Sequence, residues 1–231
     1  MNTNILAIIP ARGGSKGFPG KNLAQLGGRS LLARTADCVK DSAYKVRGVL
    51  STDDEDIALA GQKLGLEVPF QRPVELADDE ATTLSVVQHA VGWLYEEEGY
   101  QPEWVVVLQP TSPLRRAEHL DAALKLLIEG GGDSLISLTP MTQHPKLAFE
   151  VVNGQARKLH GNAASRRQDM DVLYYPNGAI YITNPMLLAE DLLLGDEPTA
   201  FIMPPWESVD VDSPWDMAVA ESALLFEPEE D

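Results

Sequence analysis

A chain of 231 residues with 44% hydrophobic and 23% charged residues has the composition of a globular domain with a substantial core. Its one cysteine, Cys38, excludes an internal disulfide, and no apolar run approaches the roughly 20 residues of a membrane span. Eighteen Lys and Arg against 35 Asp and Glu give a net charge of −17, which argues against a nucleic-acid surface, because binding a polyanion needs a wide basic face.

The first element is the apolar run at residues 5–9, too short and without the preceding cations of a signal peptide; a cytoplasmic protein is expected. The run reads as a strand buried on both faces. It leads into Pro10-Ala-Arg-Gly-Gly-Ser-Lys-Gly-Phe-Pro-Gly-Lys-Asn22, a loop with four glycines, three cations and no acid. No Asp or Glu precedes Asp37, and no Lys or Arg follows Arg167. A cationic, glycine-rich loop in an acidic chain suits a small, highly charged anion such as phosphate. Gly14 to Gly20 is one residue too long for a Walker loop, and Asn22 replaces the hydroxyl residue that follows its lysine. The dinucleotide fingerprint is also absent. A nucleoside triphosphate site of another kind remains, with Arg12 and Lys21 neutralising oxygens that gain charge as pyrophosphate leaves.

Helical periodicity returns at residues 31–39, where Cys38 reads as a structural thiol. A second strand at 46–51 leads through an acidic turn into a helix ending near Leu64, with Gly65 as its stop. Residues 68–72 read as extended and present Arg72 as a base-reading donor, before a polar loop capped by Thr82 or Thr83. A long helix follows over 83–98, then the clearest strand, 104–109. That strand breaks at Pro110-Thr-Ser-Pro113, where open α/β sheets bind ligands. Gln109 there can bond a sugar or carboxylate, while Thr111, Ser112 and Arg115 read equally as turn formers and a surface charge. A helix over 117–128 and a strand over 134–138 complete a strand–helix alternation, which predicts a parallel α/β sheet with helices on both faces.

Residues 140–176 break the rhythm and read as an inserted arm of one domain spanning 1–231, pairing with a second subunit. A strand at 179–183, a helix near 185–193, a strand at 200–203 and a helix near 215–226 follow. In Ser208-Val-Asp-Val-Asp-Ser213, alternation puts Asp210 and Asp212 on one face. Two carboxylates near a triphosphate make a Mg²⁺ site; the bland alternative is a solvated acidic turn before a helix. The four histidines show no ligand spacing, which argues against zinc.

The chain resembles the acylneuraminate cytidylyltransferases, or CMP-sialic acid synthetases. The resemblance rests on Ile9-Pro-Ala-Arg-Gly-Gly-Ser-Lys-Gly-x-Pro-Gly-Lys-Asn-Leu23, Ser51-Thr-Asp53, Arg72-Pro-x-Glu-Leu-Ala77, Leu108-Gln-Pro-Thr-Ser-Pro-Leu-Arg115, Pro176-Asn-Gly-Ala-Ile-Tyr181 and Asp210-x-Asp212, in that order. It implies a mostly parallel, Rossmann-like nucleotidyltransferase sheet with a dimerisation arm, and a homodimer. The implied reaction joins CTP to a nine-carbon acidic sugar, with Mg²⁺ or Mn²⁺ as cofactor. By motif, Ala11, Arg12, Gly13, Ser15, Lys21, Asn22, Arg72, Ala81 and Thr83 would bind the nucleotide. Arg12 and Lys21 would hold the triphosphate, Asn22 and Thr83 the ribose, and Arg72 with the Ala81 backbone the cytosine. Gln109, Lys146 and Arg167 would contact the sugar. Asp210 and Asp212 would hold the metal, and Asp212 would also help deprotonate the attacking hydroxyl. Two departures stand out: Tyr175 occupies a place where many members carry Arg, which points to a different nonulosonic acid, and Leu192-Leu-Leu-Gly195 lacks the aromatic pair of some arms. A non-catalytic nucleotide-binding domain is the competing reading, and retention of both the basic loop and the acidic pair argues against it.

Overall fold

The continuous apolar run near the start forms a strand whose two faces are both covered. In the computed structural model, which describes residues 3–15, 17–159 and 170–226, β1 spans Ile5–Pro10. Its odd-numbered residues Ile5, Ala7 and Ile9 enter one core and Leu6 and Ile8 another, as the two-residue period of a strand requires. A tight hairpin of β2 (Gln25–Leu26) and β3 (Arg29–Ser30), absent from the sequence-based expectation, turns at Gly27 and Gly28, both at positive φ. Ser30 then caps α1 (Leu31–Lys40) by accepting from the Ala33 amide. Next come β4 (Val46–Ser51), α2 (Glu55–Lys63), α3 (Thr83–Glu98), β5 (Trp104–Val107) and α4 (Ala117–Gly130). The chain closes with β6 (Ser134–Pro140), β7 (Phe149–Val152), β8 (Gln155–Lys158), β9 (Tyr174–Thr183), α5 (Pro185–Ala189), β10 (Thr199–Ile202) and α6 (Pro214–Leu224).

Six strands form the main sheet in the order β10-β6-β9-β5-β1-β4. β1 is parallel to β4 and β5, and β10 to β6, while β9 is antiparallel to both β5 and β6. The sheet is therefore mostly parallel, as expected, with one reversed strand in its middle. α1, α2 and α4 cover one face through Leu32, Ile57 and Leu124, and α3 and α5 the other through Val87, Leu94 and Leu188. A smaller core holds Leu26, Leu31, Leu114, Val211 and Met217, with Phe18 packed against it. It joins the glycine-rich loop to the segment of the acidic pair.

Several elements differ from the pattern reading. The strand expected at 179–183 begins five residues earlier, at Tyr174, because pairing of Leu138 with Pro176 and Thr139 with Tyr175 extends it. The strand expected to reach Gln109 ends at Val107, with Leu108 still donating to the Ile8 carbonyl. The helix expected to reach residue 193 stops at Ala189, and Asp191 takes a positive φ of 59°. The extended segment at 68–72 forms no named strand: an isolated bridge joins Glu67, just before it, to Val49, and the Arg72 amide at its end donates to the Thr52 carbonyl at 2.8 Å.

Within the expected arm, β7 and β8 form a hairpin whose turn residues Asn153 and Gly154 both have positive φ, as a type I′ turn demands. All eight strand residues of this hairpin are exposed. Residues 160–169 of the arm, with His160, Arg166 and Arg167, lie outside the described residues.

α2 lies so close to β4 that a methyl on Gly61 would stand 2.2 Å from Leu50 Cδ2, and Leu50 is fully buried. Gly61→Ala is therefore expected to destabilise the protein by about 1–3 kcal/mol through overpacking, despite the gain in helix propensity. Chemical denaturation of the two proteins measures this, and equal midpoints would contradict it.

Candidate active site

Parallel strands bring their C-terminal ends to one edge of a sheet, and the loops after β1, β4 and β5 meet there. The β1 loop is laced to the β4 end: the Ala11 amide donates to the Ser51 carbonyl at 3.0 Å and the Gly13 amide to Asp53 Oδ1 at 3.0 Å. A methyl on Gly13 would stand 2.5 Å from Asp54 Oδ2, so the close approach requires glycine. Asn22 is buried and its Nδ2 donates to the Arg12 carbonyl (2.9 Å), bracing the loop across its base. The Ser15 amide donates to the Gly13 carbonyl at 3.1 Å.

A cavity of about 240 Å³ opens at this edge. Arg12, Lys21, Asn22, Arg72, Ala81, Thr83 and Gln109 all line it. Ala11, Gly13 and Ser15 do not; they shape the loop behind it. Lys146 sits in the short turn Pro145–Leu147 before β7 and does not line it either. Arg167 lies outside the described residues.

Each cation has a defined setting. Arg12 reaches across the cavity to the 77–79 loop, donating to the Asp78 carbonyl at 2.7 Å and the Ala77 carbonyl at 3.3 Å, and pairing with Asp79 at 2.8 Å. Asp78 in turn accepts from the Glu80 and Ala81 amides at 2.9 and 2.8 Å. Thr82, not Thr83, caps α3, so the Thr83 hydroxyl is not spent on the helix end. Lys21 Nζ lies 2.7 Å from Asp212 Oδ1. Arg72 is buried: Nε donates to Ser51 Oγ (3.0 Å) and Nη2 to the Ser51 carbonyl. Burial pushes its pKa down to about 10, with Asp53 opposing and Arg12 assisting; the guanidinium stays charged at neutral pH.

The acidic pair is placed by the residue between its members. Val211 is fully buried and its amide donates to the Thr111 carbonyl at 2.7 Å. Asp210 and Asp212 therefore both point away from the small core. Asp212 is well exposed apart from Lys21. Asp210 has exposed surface too, yet the protein crowded around it displaces enough water to raise its pKa, against the Thr111 hydroxyl that donates to it. Asp216 completes a capping box with Ser213, and those hydrogen bonds hold its pKa down. Among the described residues, no group of three or more His, Cys, Asp or Glu could hold a metal ion by itself.

Some site residues were not singled out by pattern. Asp79 reads as part of an exposed acidic loop, and only folding brings it to Arg12. Arg115, equally readable as a surface charge, is buried: Nη1 donates to the Gln109 and Ala179 carbonyls (3.0 and 2.8 Å) and Nη2 to Thr35 Oγ1 (2.8 Å). It braces the backbone beneath Gln109 from inside the fold. Cys38 is likewise buried, and burial raises its thiol pKa, in keeping with a structural role.

The chain is also similar to known proteins. A family model described as cytidylyltransferase matches residues 6–194. The chain is 32% identical over 227 residues to an N-acylneuraminate cytidylyltransferase of Streptococcus agalactiae, covering 96% of this chain and 54% of that one. It thus spans about half the length of that relative. It is 31% identical to the CMP-N,N'-diacetyllegionaminic acid synthase of Legionella pneumophila, covering 97% of this chain and 98% of that protein. A solved structure of CMP:2-keto-3-deoxy-manno-octonic acid synthetase complexed with CTP shares the fold, with a TM-score of 0.68 at 17% identity, covering 96% of this chain and 99% of that one.

Proposed function

Since the chain belongs to the cytidylyltransferase family, we propose that it transfers CMP from CTP to the anomeric hydroxyl of an N-acylneuraminate-type sugar, releasing pyrophosphate. The observation that carries this is the single cavity lined by Arg12, Lys21, Arg72, Thr83 and Gln109, with the Asp210–Asp212 segment joined to it through Lys21. In the reaction, the sugar hydroxyl oxygen forms a bond to the α-phosphorus and the bridging bond to the β-phosphate breaks. Its proton leaves toward a carboxylate, for which Asp212 is the candidate. Arg12 and Lys21 neutralise the departing pyrophosphate. Asn22 and Thr83 hold the ribose. Arg72 reads the base together with Ala81, whose amide is engaged by Asp78, so its contact falls to the carbonyl oxygen. Gln109 and, from the arm, Lys146 and Arg167 take the sugar.

Asp210 and Asp212 would hold Mg²⁺ or Mn²⁺. The donor set is hard oxygen, and the Asp210 carboxylate is partly stripped of water, a state that a cation relieves. Such an ion supplies charge stabilisation and alignment for phosphoryl oxygens. Pyrophosphate release from CTP with a panel of nonulosonic acids tests the whole reading. Release with none of them, alongside tight CTP binding, would favour a non-catalytic nucleotide-binding domain.

A second sugar reading has its own support. Tyr175 is partly exposed on β9 opposite Thr139, where many members of the resembled family carry a cation, and the Legionella relative is named for a legionaminic acid. The same panel decides between the two.

A homodimer built through the arm, acting in the cytoplasm, completes the proposal. The arm exposes the apolar side chains Phe149, Val151, Leu159, Val172 and Tyr174, the kind of surface that a second subunit would cover. No described helix is long and apolar enough to cross a membrane. Phe149 and Val151 share one face of β7, and Phe149→Asp with Val151→Asp is expected to shift the protein from dimer to monomer in analytical ultracentrifugation. An unchanged sedimentation coefficient would remove the arm from the interface.

A further inference from the structure

We propose that Asn177 is a positioning residue that sets the acidic pair, an inference that rests on the metal-dependent reading above. Because β9 runs against its neighbours, its N-terminal half lies at the edge where β5 and β6 end. The β6–β9 register shifts between Ile136 and Leu138, and the irregularity sets the four residues Asn177, Gly178, Ala179 and Ile180 against Ser137 alone. Asn177 is buried, and its amide group is fully used. Oδ1 accepts from Ser137 Oγ at 2.6 Å and the Ala179 amide at 3.2 Å. Nδ2 donates to Ser208 Oγ at 2.9 Å and faces Met203 Sδ at 3.4 Å. The Asn177 carbonyl accepts from Ser112 Oγ at 3.3 Å.

One side chain thus clamps β6, β9 and the 203–208 segment, and Ser208 is two residues before Asp210. Gly178 marks the point of convergence. It has a φ of +72°, and a methyl there would stand 3.2 Å from Gln109 Oε1, 3.3 Å from Ser112 Oγ and 4.0 Å from Asp210 Oδ2. The segments that carry the sugar contact and the metal ligand therefore meet on the backbone that Asn177 holds. Ser208 passes the constraint on, donating to the Pro204 carbonyl at 2.8 Å while accepting from Asn177. Beyond it, the Val211–Thr111 bond anchors the far side of Asp210.

The test reads metal binding, not turnover. Mn²⁺ is titrated into the 231-residue chain with CTP and the free ion followed by electron paramagnetic resonance. Outer residues that orient metal ligands typically cost about 10- to 100-fold in affinity when removed, so Ser208→Ala and Asn177→Ala are each expected to weaken Mn²⁺ binding at least about tenfold. Combined, they should weaken it little further, because both cut one connection. CTP binding without metal should not change. Ser208→Ala keeps the test open if loss of Asn177 prevents folding. Asp210→Asn is the reference. If it weakens Mn²⁺ binding while folded Ser208→Ala binds as the parent does, the positioning role is overturned and the metal reading stands. If Asp210→Asn binds Mn²⁺ normally, the metal reading fails and this inference with it.

Discussion

Lys21→Ala is expected to lower the rate of pyrophosphate release by on the order of 10²–10³, the loss seen when one preorganised group that stabilises transition-state charge is removed. Arg12 cannot stand in for Lys21, because its guanidinium acts from the opposite wall, beside the Asp78 carbonyl and Asp79, and leaves the oxygens on the Lys21 side without a cation. The loss should fall on kcat more than on KM for CTP, since charge builds on the pyrophosphate only as the bond breaks. Folding should hardly notice. Asp212 is well exposed, and an exposed ion pair contributes about 0–1 kcal/mol. An inactive variant with the parental melting temperature would support the role. A variant with near-parental kcat would remove Lys21 from the machinery.

Asp210→Asn is expected to abolish metal-dependent turnover, again by on the order of 10²–10³, since metal stabilisation of a phosphoryl transfer contributes several kcal/mol. Asp212→Asn should do the same and, in addition, free Lys21. The two variants part company in stability. Crowding raises the Asp210 pKa, so the folded protein holds its charged form less comfortably than the unfolded chain does. The neutral isostere removes that penalty, so Asp210→Asn should melt higher than the parent at neutral pH without metal. The sign follows from the raised value: the parent regains this stability as pH falls and the carboxyl protonates, and loses it as pH rises through the folded pKa. The gap between the two melting temperatures should therefore close on acidification. Full activity of Asp212→Asn at saturating Mg²⁺ would contradict both its metal and its proton role.

The two halves of this site were legible to different degrees. The glycine-rich loop stands out because four glycines and three cations lie within thirteen residues of an acidic chain. The acidic pair stands out because two carboxylates flank one valine. Arg115 and Asn177 do not. Each is a polar residue near a proline, indistinguishable along the chain from a turn residue, and each acquires its role through burial among segments far away in sequence. Asp79 belongs with them, because an Asp-Asp-Glu run reads as solvated wherever it occurs.

Local pattern by itself determined the strand and helix alternation, the glycine-rich cationic loop after β1 and the shared face of Asp210 and Asp212. Burial period and backbone freedom are properties of neighbouring residues, so neighbours suffice to read them. Only the tertiary structure decided that Lys21 meets Asp212 across 191 residues, that Arg12 meets Asp79, and that β9 runs backwards through the sheet. That reversal carries Asn177 and Gly178 to the edge where Gln109 and Asp210 stand. Which strand edges pair, and in which direction, is settled by the packing of the whole sheet and leaves no periodic trace in any one segment.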